Sequence, residues 1–349
     1  MKKYLTDLIK ITSPISISNF MNEALFNAKY GYYINQNPLG KQNDFITAPE
    51  ISQVFGELIA AYLINLWQNN YDQNEINLVE MGAGKGTLMQ DFLKTASKIP
   101  NFMDKISINI IEISPKLQKI QQENLKNYNI KWWGNFDDFY QKNQIKPIFF
   151  TANELFDCFA IDQFVRLDNF WIEKLVGLDE KDNLTFVLAK KDQKINEAIN
   201  KLTDNLGKNG DIFEYSRSAE DFMSVLSSAI KKTSGIAILV DYGYIENKFH
   251  NSLQAIKNHK FSNILENIGQ SDITSLVNFK KLAKIAENHN LQKYIVTQKE
   301  FLESLGVEIR RQKLLENKTK EEQNLINSSI DRLIDKRQMG ELFKVLIIH

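Results

Sequence analysis

The chain has 349 residues, 43% hydrophobic and 25% charged, enough for one large domain with insertions or two domains sharing a core. Lysine plus arginine equals aspartate plus glutamate at 43 each, so no overall field recruits nucleic acid or an anionic membrane, and no basic-aromatic stripe stands out. The single cysteine, Cys158, excludes an intrachain disulfide; four scattered histidines argue against a metal site; no run approaches the roughly 18 apolar residues of a membrane helix.

In chain order, Met1-Lys2-Lys3-Tyr4 leads into polar sequence, unlike a signal or transit peptide. Residues 16–29 carry a helical stripe (Ile17, Phe20, Met21, Ala24, Leu25) with Ser16 as the cap. A loop rich in aromatic residues and glycine follows, with Tyr30, Tyr32 and Tyr33, then Pro38-Leu39-Gly40 and Asp44-Phe45. Thr47-Ala48-Pro49-Glu50 reads as a capping box that opens a helix striped by Ile51, Val54, Phe55, Leu58, Ile59, Tyr62, Leu63 and Leu66. From residue 76 short apolar runs (76–81, 106–113, 130–133, 147–152, 235–240) alternate with helical stretches. That alternation predicts a doubly wound α/β core with a parallel sheet covered on both faces. The run 342–348, with Tyr294-Ile295-Val296-Thr297 as its partner, is expected to close the sheet as an antiparallel pair, giving seven strands.

Two insertions interrupt this plan. Residues 163–176 and 184–189 alternate like a β-ribbon and precede helical segments, and residues 243–277 lack clear periodicity. The expected organisation is an N-terminal helical and aromatic lid over 1–75, a first part of the core over 76–160, an inserted substrate or homodimerisation unit over 161–232, and the rest of the core over 233–349. Trp132-Trp133 reads as core, and Arg310-Arg311-Gln312-Lys313 as a solvated helix face.

The first core run ends Leu78-Val79-Glu80-Met81 and passes into Gly82-Ala83-Gly84-Lys85-Gly86-Thr87. Alternate glycines remove side chains where the backbone turns tightly and a ligand approaches closely. A dinucleotide fingerprint would place its third glycine at 87, where Thr87 stands. The acid ahead of the turn would repel a pyrophosphate and suits a cation. S-adenosyl-L-methionine, carrying an ammonium and a sulfonium, is such a ligand; a tight turn with no ligand is the competing reading. On the first reading Gly82, Gly84, Gly86 and Thr87 lie under the amino-acid part of the donor and Glu80 orients its amino group. Glu112, at the end of the second run, accepts the ribose hydroxyls, or else is an exposed strand-end acid.

The fourth run ends Asn153-Glu154-Leu155-Phe156-Asp157, the place where an acceptor is handled. Methyl transfer is an in-line displacement, and alignment of such a pair is worth on the order of 7–11 kcal/mol. For a guanidinium acceptor, two carboxylates grip the planar fork and take its proton. Glu154 and Asp157 share a face if the segment is helical, with Asn153 beside both donor and acceptor; acidic residues opening a capped helix are the plainer alternative. Asp241, ending the fifth run, either assists the acceptor or caps a turn. Tyr30, Tyr32, Tyr33, Asp44, Phe45, Thr47, Pro49 and Glu50 form the candidate lid, with half-buried packing as the alternative for the tyrosines.

Over nearly its whole length the chain resembles the MidA-type methyltransferases. The likeness rests on Tyr30-Gly31-Tyr32-Tyr33, Asp44-Phe45-Ile46-Thr47-Ala48-Pro49-Glu50, the glycine turn, Asn153-Glu154-Leu155-Phe156-Asp157, Leu253-Gln254-Ala255 with His259 and Phe261, Asp272-Ile273-Thr274, and Met339-Gly340-Glu341-Leu342-Phe343. Asn43, Ala83, Lys85, Ala160 and Asn278 depart from the family's usual residues. The resemblance implies a class I (Rossmann-like) fold, S-adenosyl-L-methionine as cofactor, and symmetric dimethylation of a protein arginine in a respiratory complex I subunit, in a bacterial cytoplasm or the mitochondrial matrix. Competing expectations are methylation of a small molecule or another protein nucleophile, and a donor-binding assembly factor without turnover.

Overall fold

A computed structural model describes residues 1–35, 47–246 and 249–349. Its centre is a sheet of β1 (Ile76–Met81), β2 (Ile106–Ile111), β3 (Ile130–Trp133), β4 (Ile148–Asn153), β5 (Ile236–Tyr244), β6 (Lys293–Thr297) and β7 (Phe343–Ile348). Their spatial order is β6-β7-β5-β4-β1-β2-β3, and Val277–Asn278 adds a short parallel strand beside the end of β5. Only β7 runs against its neighbours, pairing antiparallel with β5 on one side and β6 on the other. The expected closing pair therefore forms, with the last strand wedged inside the sheet rather than at its rim.

The strands are apolar without alternation because helices cover both faces. On one face Gln53–Asn70 and Thr87–Ala96 pack together with the C-terminal helices, burying Phe55, Leu63, Trp67, Phe92 and Leu333. A Cβ on Gly56 would meet the Asp91 Cβ at 2.9 Å, so glycine there lets these two helices approach. The other face carries Phe136–Lys142, Arg217–Thr233 and Phe279–Asn288.

Several expectations are corrected. The helix opened at Thr47 is broken: Ala48–Ile51 is a single turn, the Thr47 side chain makes no cap bond, and Ser52 is extended. Ser52 instead accepts from the Val54 amide and starts the long helix at Gln53. The Thr-x-x-Glu pattern misled because Glu50 turns to Lys85, 3.3 Å away, and not back to the cap. The N-terminal stretch is divided between layers. Ile15–Ser16 pairs with the ribbon strand Phe170–Leu178 and Ile17–Phe26 packs beside it, whereas Gln53–Asn70 belongs to the core. An amphipathic stripe shows that a face is buried, not what buries it.

The ribbon is a larger antiparallel sheet, with Asp162–Leu167, Phe170–Leu178, Leu184–Leu188 and Ile212–Tyr215, and it ends before Arg217–Thr233, which lies on the central sheet. The stretch 243–277 holds a three-stranded sheet (Gln254–Lys257, Lys260–Ser262, Asp272–Thr274). Its hairpin turns at Asn258 and His259, both with positive φ (50° and 60°), a two-residue turn without the usual glycine. Trp132 and Trp133 are half-buried and hydrogen-bonded rather than plain core. The basic run is paired, Arg310 to Glu57 at 2.8 Å and Arg311 to Asp331 at 2.7 Å. Among the described residues no helix is long and apolar enough to cross a membrane.

Candidate active site

Strand order reverses between β1 and β4, and ligands of open α/β sheets bind beyond the strand ends at such a point. A cavity of about 330 Å³ lies there, lined by the glycine turn, the ends of β2 and β4, the turn after β4, Thr47, Pro49, Glu50, Phe26, Tyr33 and Asp272.

The β1 end builds one half. Gly82, Gly84 and Gly86 all take positive φ (71°, 55° and 81°), and Gly86 caps the helix Thr87–Ala96. A Cβ on Gly82 would stand 3.0 Å from Leu155 Cδ1, and one on Gly86 2.9 Å from Leu125 Cδ1. Glu80 is 3% exposed, and its Oε2 is buried with no hydrogen-bond partner among the described residues. Burial pushes its carboxyl up to about 8, against a hydrogen bond from the Met89 backbone; Glu112 adds to the rise.

Glu112 is buried, not the exposed strand-end acid of the alternative reading. Its Oε1 accepts from the Ser114 amide at 2.8 Å and its Oε2 from Gln121 Nε2 at 3.1 Å. Gln121, fully buried, also donates to the Gly84 carbonyl at 2.8 Å and accepts from Trp132 Nε1 at 3.0 Å. The glycine turn and the β2 acid are thus locked together by one amide. The one sequence sign of Gln121 is its place at i+4 from Leu117 on a helix capped by Ser114, a polar group on an apolar face.

The β4 end builds the other half. Asn153 lines the cavity, donates to Glu154 Oε1 at 3.0 Å, and keeps Oδ1 buried without a partner among the described residues. Glu154 sits at φ 52°, a left-handed conformation that favours glycine, with its amide bound to Val240 O at 2.8 Å. Its Oε1 also accepts from the Ala48 amide at 3.3 Å. Burial, then the Asp157 charge, push Glu154 up to about 8. A single 3-10 turn, Phe156–Cys158, follows, so Glu154 precedes the helical turn and does not share its face with Asp157; both nevertheless line the cavity. Asp157 is 6% exposed, and burial pushes it up to about 6.

Asp241 lies outside the cavity lining. Its oxygens accept three backbone amides, from Phe156 (2.8 Å), Asp157 (3.1 Å) and Tyr242 (2.8 Å), so it caps the turn that carries Asp157. Of the tyrosines, Tyr33 reaches the cavity and donates to both oxygens of Asp272 at 3.0 Å. Tyr32 is core, edge-on to Tyr33, and Tyr30 packs against Tyr4 away from the cavity. Asp44 and Phe45, with Pro38-Leu39-Gly40, lie outside the described residues. Among the described residues no group of three or more His, Cys, Asp or Glu is placed to hold a metal ion.

This donor set fits an ammonium-bearing nucleoside ligand. A glycine-rich cradle, buried acceptors on Glu80 and Asn153 without partners among the described residues, and a fixed carboxylate at Glu112 line the cavity together with Glu154 and Asp157.

Residues 58–297 match a family model described as S-adenosyl-L-methionine-dependent methyltransferase. The mitochondrial protein arginine methyltransferase NDUFAF7 of Danio rerio is 32% identical over 98% of this chain and 85% of its own length; that of Homo sapiens is 30% identical over 98% and 82%. A Burkholderia thailandensis protein crystallised with S-adenosyl-homocysteine superposes with a TM-score of 0.86 at 19% identity, over 99% of this chain and 91% of that one, which shows a shared fold. The chain therefore belongs to the MidA-type family of S-adenosyl-L-methionine-dependent methyltransferases, with a class I α/β fold and S-adenosyl-L-methionine as its cofactor.

Proposed function

We propose that the chain methylates arginine side chains of a protein, with symmetric dimethylation of a respiratory complex I subunit as the specific reaction and the mitochondrial matrix or a bacterial cytoplasm as its setting. The observation that carries this reading is a pair of buried acids, Glu154 and Asp157, sharing a cavity with the glycine turn and making no ion pair among the described residues. Burial disfavours the ionised form of both acids, Arg332 offsets this at Glu154 only in part, and a cation entering the cavity would favour the carboxylates. Aromatic walls suit a planar one: Phe26 stacks on Tyr33 (5.6 Å, 19°), and Phe159 stands on the Phe156 ring (5.2 Å, 29°).

In this reading Glu80 and Asn153 hold the donor's ammonium, Gly82, Gly84, Gly86 and Thr87 admit its amino-acid part, and Glu112 takes the ribose hydroxyls. Bound there, S-adenosyl-L-methionine supplies an electrophilic methyl carried on a sulfonium. Glu154 grips the guanidinium, and Asp157 takes, at Oδ1, the proton that the acceptor nitrogen loses as it gains a methyl. Thr47, Pro49, Glu50 and Tyr33 form the mouth of the cavity. The ribbon sheet, with the N-terminal helices, offers the acceptor protein its docking wall. The likeness to protein arginine methyltransferases supports the acceptor class.

The test is labelled donor with the purified chain and whole-cell lysate, followed by mass spectrometry of complex I subunits from cells with and without the gene. Label on arginine in acid-insoluble protein supports the reading; label in soluble compounds or on other residues overturns it. Glu154→Gln is expected to abolish turnover and leave S-adenosyl-homocysteine binding intact.

A further inference from the structure

Asp157 presents two unlike oxygens. Its Oδ2 accepts a hydrogen bond from the Tyr242 phenol, while Oδ1 is buried with no partner among the described residues. Its main chain is held from both sides: the amide donates to Asp241 Oδ2, and the carbonyl accepts from Ser275 N at 3.0 Å. Tyr242 is not part of the cavity lining; it approaches Asp157 from β5, behind the cavity wall. Its ring packs edge-on to Phe343 (5.5 Å, 68°). The phenol also bonds to the Thr274 side chain, which accepts from Gln254 Nε2 at 3.2 Å. A hydrogen-bonded line thus runs from the insert sheet through Thr274 and Tyr242 into the back of Asp157.

We propose that Tyr242 is a positioning residue for methyl transfer: its phenol occupies Oδ2 of Asp157, turns Oδ1 to the acceptor's proton, and favours the carboxylate form. This rests on reading Asp157 as the proton-taking group. The titratable groups around Asp157 are Glu154 ahead of its turn, Cys158 on the turn, Asp241 and Tyr242 from β5, Tyr33 from the N-terminal segment, and Asp272 from the insert sheet. None of these supplies a positive charge, so hydrogen bonds must stabilise the ionised form. Burial raises Asp157, and among the groups pulling it back the Tyr242 phenol is the foremost. Asp241, pushed well up by burial and then by the charges of Asp157 and Glu154, opposes a second negative charge in the same place.

The decisive variant is Tyr242→Phe, which keeps the ring against Phe343. Infrared titration of the ligand-free protein, with Asp157→Asn to assign the band, reads the Asp157 proton directly. Loss of a hydrogen bond to an ionised group moves its midpoint up by about one to two pH units. In turnover the acid limb of kcat moves up by the same amount, while the acceptor KM stays within about threefold, because the phenol touches neither ligand. Affinity for S-adenosyl-homocysteine by calorimetry is unchanged. Fluorotyrosine at 242, a stronger donor in a nearly identical shape, shifts both midpoints the opposite way, and settles the matter if the phenylalanine variant fails to fold. An Asp157 midpoint that is the same in all three proteins overturns the proposal. Arginine methylation by the wild type with an unmoved Asp157 would sink this inference alone. A moved Asp157 in a wild type that methylates no arginine would keep the Tyr242 link and sink the acceptor reading.

Discussion

On the proposed placement of the donor, Glu80 should release a proton when the ligand binds. Its carboxyl is 3% exposed, has one oxygen without a partner among the described residues, and is raised to about 8 chiefly by burial. At pH 7 a group of pKa 8 is protonated about nine-tenths of the time. An ammonium placed within ~4–6 Å favours the carboxylate and lowers its pKa by about 1–3 units. A three-unit drop leaves the bound state essentially ionised, so binding S-adenosyl-homocysteine at pH 7 should release close to one proton, about 0.9. The linked affinity gain is close to tenfold per pH unit between about pH 6 and 7, falls to about half that slope on the log scale at pH 8, and then flattens. Calorimetric titration in buffers of different ionisation enthalpy measures the count: observed heat plotted against buffer enthalpy should slope by about 0.9 at pH 7, and Glu80→Gln should bring the slope near zero. Heats independent of the buffer, or full proton release in the Gln variant, would refute the reasoning.

The same burial has a stability signature. Glu80 and Glu154 are both raised from 4.5 to about 8, so the folded protein holds protons that the unfolded chain has shed. Their destabilisation is absent below pH ~4.5, grows as pH rises, and is complete above pH ~8 at about 5 kcal/mol for each carboxyl. Denaturant midpoints of the ligand-free protein should fall from pH 5 to 8, and a double Gln variant should flatten that slope; a rising midpoint in the wild type contradicts it. Glu112→Gln loses a charge-assisted acceptor held by Ser114 and Gln121, and should weaken S-adenosyl-homocysteine about 10- to 100-fold by calorimetry. Gly86→Ala forces a left-handed φ of 81° and a 2.9 Å approach to Leu125, so chemical denaturation should show a loss of about 2 kcal/mol or more. Ser52→Ala removes the cap of Gln53–Asn70 at a cost of about 1 kcal/mol, whereas Thr47→Ala, which breaks no cap bond, should be near neutral.

What the sequence made legible was the part written in periodicity and in backbone necessity. Runs such as Ile76–Met81 and Ile130–Trp133 emerge as strands with those limits, because continuous apolar stretches between helical stripes have few other homes. Ser16 caps the helix it announces. Side-chain partners across the fold were not legible. Thr47 and Glu50 have the spacing of a capping box, yet a long-range contact to Lys85 outcompetes the local one. For the acid at 241 the sequence leaves open acceptor chemistry or a turn cap, and the three amides converging on it decide for the cap. Likewise Gln121 and Tyr242 carry no local motif of their own, and Asp272, though part of Asp272-Ile273-Thr274, gives no local sign of its bond to Tyr33; each matters for what it meets from another segment.

The placement of β7 has a consequence for biogenesis. During synthesis β5 and β6 leave the ribosome before the strand that must lie between them. Until β7 is made, two hydrophobic ribbons stand with open flanks, able to pair wrongly with each other or with another nascent chain. Yield in cells should thus depend on holdase chaperones during that interval, and on how quickly translation runs through the helices separating β6 from β7.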